Sequence, residues 1–191
     1  MTISLQQLRA REYAWMDDDA SMYLNAASVG PMPAAAVAAA NEWSVLRQQP
    51  QRISVPRMQE AAATARAQFA ALIGARAEEI ALMPNTTYGL NLAARALPLR
   101  PGSILTFDGE FPSCVYPFQA LGSRGVTLDL IPRRNGLPDE DALVAAIEQR
   151  NDVVAVVVSW VQFATGYVAD LARIGAACRA KGVFFIVDGI Q

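Results

Sequence analysis

Short apolar runs alternate with helical segments over the second half of the chain, and this alternation constrains the fold more than any other feature. The predicted strands are 104–107, 126–131, 153–158 and 183–187. Amphipathic segments separate them, and the predicted helices are 113–121, 139–149 and 170–181. A strand followed by a helix and another strand is the repeating unit of a parallel sheet. The sequence therefore predicts an α/β fold, with a mainly parallel, doubly wound sheet and helices on both faces.

The last apolar run, 183–187, ends at a carboxylate. Its five apolar residues predict a strand that is buried on both faces of the sheet. Asp188 follows at the carboxyl end of this strand, where open α/β sheets bind ligands, and Gln191 comes three residues later. A carboxylate with apolar residues behind it is suited to pair with a buried cation such as a protonated ring nitrogen. The alternative is that Asp188 only caps the next turn.

The first half of the chain is predicted to be mainly helical. Residues 1–20 are predicted as an N-terminal arm or helix, and an alanine-rich helix is predicted over 34–48. A third helix is predicted to begin after Ser54 and to end at Gly74. Residues 79–83 are predicted as a short strand. The expected anchors of the arm and core-facing residues of the third helix are Leu5, Leu8, Tyr13, Trp15, Met58, Ala62, Ala65, Phe69, Leu72 and Ile73.

A Pro-Asn-Thr-Thr turn at 84–87 leads from the predicted short strand into a helix over 88–97. Asn85 and Thr86 are both suitable N-cap residues. Thr86 and Thr87 place two hydroxyls on the first turn of a helix that follows a strand end, which is a ready site for an anion such as phosphate. The alternative is simple capping, the usual role of threonines at helix starts.

Two further strand ends carry residues that could contact a ligand. Phe111 follows the strand 104–107, where its ring could stack on a planar group or only pack the loop. Gln162 lies in the segment after the strand 153–158. Cys114 is near a helix start, which could lower the pKa of its thiol, but a buried and inert thiol is the expected case. Cys178 is expected in the core.

The chain has 191 residues, no histidine and a formal net charge of -2. The absence of histidine excludes Ser-His-Asp and Cys-His catalysis and the usual zinc sites, so a cofactor is expected to carry any chemistry. The small net charge gives no reason to expect a nucleic acid or membrane partner. Residues 1–19 lack the apolar segment of a signal peptide, and two cysteines do not form a disulfide framework. A cytoplasmic location is therefore predicted.

Five motifs resemble, in order, those of a known enzyme superfamily: YLNAASVGP, NTTYGLNL, EFPSCVYPF, SWVQFATG and FFIVDGIQ. Together they cover nearly the whole chain and are similar to the N-terminal part of class V, fold-type I enzymes that depend on pyridoxal 5′-phosphate (PLP). Cysteine desulfurases, kynureninases and isopenicillin N epimerase-like proteins belong to this superfamily. The FPS form of the third motif resembles the kynureninases and the epimerase-like group.

The resemblance implies a role for each matched residue. Asp188 would keep the ring nitrogen of PLP protonated, and Gln191 would hydrogen-bond the phenolic oxygen of the ring. Thr87, with Thr86 beside it, would bind the phosphate, and Phe111 would stack on the ring. The residues implied on the substrate side are Asn25, Ala26 and Gln162.

The family's Schiff-base lysine follows the Asp-x-x-Gln strand and is not in this chain, so no catalytic residue is assigned. Lys181 is the only lysine, and it precedes the final strand on the wrong side of the predicted site. The resemblance divides the chain into an arm with the first helix over 1–55 and an incomplete PLP-binding large domain over 56–191, with the C-terminal small domain absent. A fragment of this kind would expose the edge of its last strand. We therefore predict low stability or association through that edge.

The function implied is the cofactor-binding part of an enzyme that acts at the α-carbon of an amino acid, as an aminotransferase, an epimerase, or a lyase or desulfurase. A homodimer is implied for the full-length parent, and no metal is expected. A second hypothesis is a non-catalytic paralogue or partner subunit that keeps the fold and a ligand pocket. A dinucleotide-binding Rossmann domain is a weaker interpretation, because no G-x-G-x-x-G follows any predicted strand.

Overall fold

The chain consists of two units, and the division between them falls after Leu82. The computed structural model describes residues 3–17 and 22–191. Residues 1–2 and 18–20 of the predicted N-terminal arm lie outside the described residues. Within the described ranges, no helix is both long enough and apolar enough to cross a membrane.

The first unit is helical, as predicted. Its α-helices are α1 Leu5–Glu12, α2 Ala34–Leu46 and α3 Val55–Ile73. Ser54 is the N-cap of α3, where its hydroxyl accepts a hydrogen bond from the N–H of Arg57, and Gly74 ends the helix in the left-handed conformation. The guanidinium of Arg57 also lies 5.1 Å from the ring centroid of Trp43, which links α3 to α2.

The predicted burial of the apolar residues in this unit is wrong. In α3 only Ala70 is buried, and the larger side chains Met58, Phe69, Leu72 and Ile73 are exposed. In the N-terminal arm Leu5 and Trp15 are exposed as well. Helical spacing puts these residues on one face, but a face becomes core only when another layer covers it.

A four-stranded parallel sheet forms the centre of the second unit. Its strands are β1 Gly102–Phe107, β2 Val126–Ile131, β3 Val153–Ser159 and β4 Phe184–Asp188. Their order in space is β2-β1-β3-β4, and every pair is parallel. The predicted fold class is confirmed. All seven residues of β3 are buried, because this strand has a neighbour on each side and helices on both faces.

The helices of the second unit cover the two faces of the sheet. They are α4 Thr86–Ala96, α5 Pro112–Gln119, α6 Glu140–Gln149 and α7 Leu171–Lys181. Helices α4 and α5 pack on one face through Leu90 and Phe118. Helices α6 and α7 pack on the other through Leu143 and Ile174, and Cys178 lies in this second layer as predicted. The sheet is therefore doubly wound, with one apolar core on each side.

Two predictions about strands differ from the structure. The strand predicted at 79–83 is absent: residues 77–79 form a 3-10 turn and residues 80–83 have no regular structure. The final strand is not buried on both faces, since β4 pairs only with β3 in the described sheet, and Phe184 and Val187 remain exposed. Apolar composition shows that a segment can be buried, but pairing and burial require neighbours that composition does not supply.

Candidate functional site

The carboxyl ends of the strands bring the predicted site residues of the second unit to one edge of the sheet. Strand β1 leads into a loop, 108–111, that ends at the start of α5, and β3 leads into Trp160. Strand β2 lies on one side of β1, and β3 and β4 lie on the other. The order in which strands are added to the sheet therefore changes direction between β1 and β3. Open α/β sheets bind ligands outside the carboxyl ends of the strands at such a point.

Asp188 is the last residue of β4, and its side chain is buried, with 4% of the residue exposed. One carboxylate oxygen accepts a hydrogen bond from the N–H of Ile190 at 3.0 Å, so the capping role considered from the sequence is present. The other oxygen accepts from the thiol of Cys114 at 3.6 Å. A carboxylate in this position combines burial with one well-held orientation, as pairing with a buried cation requires.

Cys114 lies in the first turn of α5 but is fully buried. Burial raises the pKa of its thiol well above the usual range, and the nearby negative charges of Glu110 and Asp188 raise it further. The thiol therefore keeps its proton and donates it to Asp188. The helix start does not activate this cysteine, which agrees with the expected buried and inert thiol.

Glu110 is a second buried carboxylate at this edge, and no role was predicted for it from the sequence. It lies in the loop after β1, is 6% exposed and binds Ser159, the last residue of β3, through both oxygens. One oxygen accepts from the backbone N–H of Ser159 at 3.0 Å, and the other accepts from its hydroxyl at 2.5 Å. The signal that could have found Glu110 is its place between two strand ends, but nothing local distinguishes it from a solvated loop glutamate.

The two threonines predicted to bind an anion lie at the start of α4. Asn85 is the N-cap, and its side chain accepts from the N–H of Tyr88 at 2.8 Å. The hydroxyl of Thr87 lies 2.7 Å from that of Ser113, in the first turn of α5, while Thr86 is half-buried. Two helix starts and a pair of hydroxyls thus meet at one place, which is favourable for an anion. Ser113 was inside a quoted motif, but no role was predicted for it.

A groove of about 410 Å³ opens beside this hydroxyl pair. Phe111 lines it, is 43% exposed and is the N-cap residue of α5. Its ring lies 5.1 Å from that of Phe163, with the planes at 85°, so an edge contact holds one side of the ring. The other residues that line the groove include Thr87, Asn91, Ser113, Tyr116 and Ala120.

The remaining predicted residues are placed differently. Gln162 is 2% exposed, and its amide is engaged at both ends: it donates to the carbonyl of Asp108 at 3.3 Å and accepts from the hydroxyl of Thr165 at 2.8 Å. Gln191 is exposed at the end of the described chain. Asn25 and Ala26 are exposed in a turn of the first unit, a unit that is described by itself, so their predicted role on the substrate side stays a prediction.

Comparison with known proteins identifies the family. A family model described as Aminotransferase class-V matches residues 22–191. Cysteine desulfurase IscS of Salmonella paratyphi B is 34% identical over 138 residues, an alignment that covers 70% of this chain and 34% of IscS. The chain thus spans about a third of the length of this relative.

Solved structures share the fold. The cystine C–S lyase C-DES, in complex with its reaction product cysteine persulfide, superposes with a TM-score of 0.78 at 26% identity. The superposition covers 88% of this chain and 47% of the C-DES chain. The cysteine desulfurase CsdA from Escherichia coli superposes with a TM-score of 0.82 at 25% identity, and the superposition covers 100% of this chain and 50% of the CsdA chain. With the family model matching from residue 22 to residue 191, this chain belongs to the class V aminotransferase family.

Proposed function

We propose that this chain is the cofactor-binding part of a PLP-dependent enzyme that acts at the α-carbon of an amino acid. The observation that carries the proposal is the buried carboxylate of Asp188 at the carboxyl end of β4, on the same edge of the sheet as Phe111 and the hydroxyl pair of Thr87 and Ser113. These groups fit the three chemical parts of PLP, which are a protonated ring nitrogen, a flat ring and a phosphate.

Each residue has a defined task in this proposal. When bound, PLP supplies an electron sink for negative charge at the α-carbon of an amino acid. Asp188 holds the proton on the ring nitrogen, because its buried negative charge favours the protonated form. Phe111 offers a ring face in the groove for stacking, and Thr86 and Thr87 bind the phosphate with the first turn of α4.

Other roles rest on the family resemblance. Gln191 hydrogen-bonds the phenolic oxygen of the ring, and Asn25 and Ala26 contact the substrate. A substrate contact by Gln162 requires a rearrangement, since both ends of its amide are already engaged with Asp108 and Thr165. The same proposal divides the chain into an arm over 1–55 and a large domain over 56–191. It also includes a homodimer and a cytoplasmic location for the parent protein.

The reaction type is proposed only as far as the shared step at the α-carbon. Aminotransferases, epimerases, and lyases or desulfurases all use it, and the cysteine desulfurase relatives favour a sulfur-containing amino acid as substrate. Cys114 is not suited to act as a sulfur acceptor, because it is fully buried and its thiol keeps its proton.

The alternative proposal is a non-catalytic paralogue or partner subunit with a ligand pocket. Its starting point is that Lys181, the lysine within residues 1–191, does not belong to the proposed site. Its ammonium group donates to the carbonyl of Glu148 at 2.9 Å, at the end of α7, so it lies near the amino end of β4 and away from Asp188.

Titration of the 191-residue chain with PLP and, separately, with inorganic phosphate tests the proposal. PLP binding is followed by quenching of the tryptophan fluorescence, to which Trp160 contributes, and phosphate binding is followed by calorimetry. We expect Asp188→Ala to weaken PLP binding by about tenfold or more while phosphate binding is unchanged, since only the ring nitrogen loses its partner. Thr87→Ala should weaken both ligands, and Asp152→Ala, at the opposite end of the sheet, should weaken neither.

Two results would contradict the proposed site. One is a folded wild-type chain that does not bind PLP. The other is saturable PLP binding that neither Asp188→Ala nor Thr87→Ala weakens, which would place the ligand elsewhere on the protein.

A further inference from the structure

Glu110 joins two strand ends that the backbone leaves apart. Its loop leaves β1 for α5 on one face of the sheet, whereas the chain after β3 leads to α7 on the other face. The two hydrogen bonds from Ser159, at 3.0 and 2.5 Å, therefore join the ends of β1 and β3, from which the chain leaves toward opposite faces of the sheet. A carboxylate suits this position because it only accepts, and Ser159 presents two donors.

The residues next to this pair are those proposed to hold the PLP ring. Phe111 follows Glu110 directly in the chain. Ser159 is the register partner of Asp188, and the N–H of Trp160 donates to the carbonyl of Asp188 at 2.8 Å. Glu110 thus connects the loop that carries the stacking ring to the strand pair that carries the carboxylate.

Cys114 fills the space between these two connections. Its sulfur lies 3.9 Å from the hydroxyl of Ser159 and donates to Asp188 at 3.6 Å. Because the hydroxyl of Ser159 donates its proton to Glu110, it cannot donate to the sulfur, and the thiol itself donates to Asp188. Loosening of the Glu110–Ser159 contact would therefore disturb the orientation of the Asp188 carboxylate and expose the thiol.

We propose that Glu110 is a positioning residue that holds the Phe111 loop on the end of β3 and thereby fixes the arrangement of Phe111 and Asp188 for a ring bound between them. The part of this proposal that concerns the ring rests on the proposed function. The part that concerns the loop does not, and it can be tested without any ligand.

The ligand-free test measures alkylation of the two cysteines by mass spectrometry. Cys114 lies behind the Glu110 contact, and Cys178 lies in the core layer on the other face, so Cys178 reports global opening. We expect Glu110→Gln to raise the labelling rate of Cys114 by about tenfold relative to Cys178, as for the loss of a charge-assisted hydrogen bond. Ser159→Ala, which leaves one buried carboxylate oxygen of Glu110 without a donor, should raise the Cys114 labelling rate as well.

Glu140→Gln is the matched control. Glu140 is also a buried glutamate, and it accepts a hydrogen bond from the backbone N–H of Asp170 at 2.8 Å, on the face of the sheet opposite to Cys114. Its loss should leave the ratio of Cys114 to Cys178 labelling unchanged. If Glu110→Gln raises the labelling of both cysteines equally, or of neither, the proposed hold on the loop is wrong.

The second test uses PLP binding and the induced circular dichroism of the bound ring, which reports how firmly and in which orientation the ring is held. We expect Glu110→Gln to weaken PLP binding and to reduce this signal, with unchanged binding of inorganic phosphate. Unchanged PLP binding with an unchanged signal would overturn the positioning role. If the wild-type chain binds no PLP, the proposed function fails, and the alkylation result alone decides whether Glu110 holds the loop.

Discussion

The hydroxyl pair of Thr87 and Ser113 makes an asymmetric prediction for stability. The two oxygens are 2.7 Å apart, but Ser113 is buried and Thr87 is exposed. Replacement of Thr87 by valine keeps the shape of the side chain and leaves the buried hydroxyl of Ser113 without its partner. We expect this change to lower the free energy of unfolding by about 1–3 kcal/mol, the cost of an unsatisfied buried polar group.

Replacement of Ser113 by alanine should cost less. The hydroxyl of Thr87 then loses its protein partner but can turn to water, so we expect a decrease of about 0.5–1 kcal/mol. The double variant Thr87→Val/Ser113→Ala leaves no unpaired hydroxyl. It should therefore be more stable than Thr87→Val alone, which is the opposite of additive behaviour.

Both cysteines lie in the second unit, so alkylation of Cys178 in increasing urea measures the unfolding of that unit alone. Thr127→Val is a matched control, because the hydroxyl of Thr127 contacts that of Ser103 at 3.1 Å but Ser103 keeps Asp152 as a partner. We expect this control to cost less than about 0.5 kcal/mol. Equal costs for Thr87→Val and Ser113→Ala, or an additive double variant, would refute the reasoning.

Two further predictions concern the loop after β1 and the core. Gly109 has φ 77°, and a Cβ there would displace the guanidinium of Arg133 from the carbonyl of Asp108, to which it donates at 3.2 Å. Gly109→Ala should therefore lower stability by about 0.5 kcal/mol more than the about 1–2 kcal/mol expected for Gly182→Ala, which has φ 66° and open space; equal costs in urea unfolding would contradict this. Burial raises the pKa of Cys178 from 9.0 to about 11, so the neutral thiol contributes stability that is complete below pH about 9 and is lost as the pH rises through about 11. The stability difference between wild type and Cys178→Ala, measured by urea unfolding followed by circular dichroism, should therefore shrink between pH 8 and pH 11, and a constant difference would contradict it.

Local patterns were sufficient to predict most of the second unit. Strand β2 begins and ends at the predicted residues, and α6 and α7 begin directly after the aspartates Asp139 and Asp170, which are their N-caps. The signals here are short-range: an apolar run that is too short for a helix, or a side chain that caps the helix it precedes. Parallel order followed from the alternation of the elements.

Features that depend on partners could not be predicted in the same way. The apolar residues of α3, the segment 79–83 and the two faces of β4 all have the composition of buried structure. Whether they are paired and covered depends on which elements lie beside them, and this information is not in the segment itself. The same holds for Gln162, whose amide is engaged by residues of two different loops.

The site shows both cases together. The position of Asp188 at a strand end followed from the apolar run before it, and the pairing of β3 with β4 brings it beside Ser159. Glu110 could not be identified because its partner is 49 residues away in the sequence. The topology nevertheless explains its position: the loops after β1 and β3 lead to helices on opposite faces, which opens a crevice at the carboxyl ends of these strands. A buried carboxylate across that crevice needs both donors of Ser159 to satisfy it, so a contact that is costly to break also holds the two sides of the proposed cofactor site together.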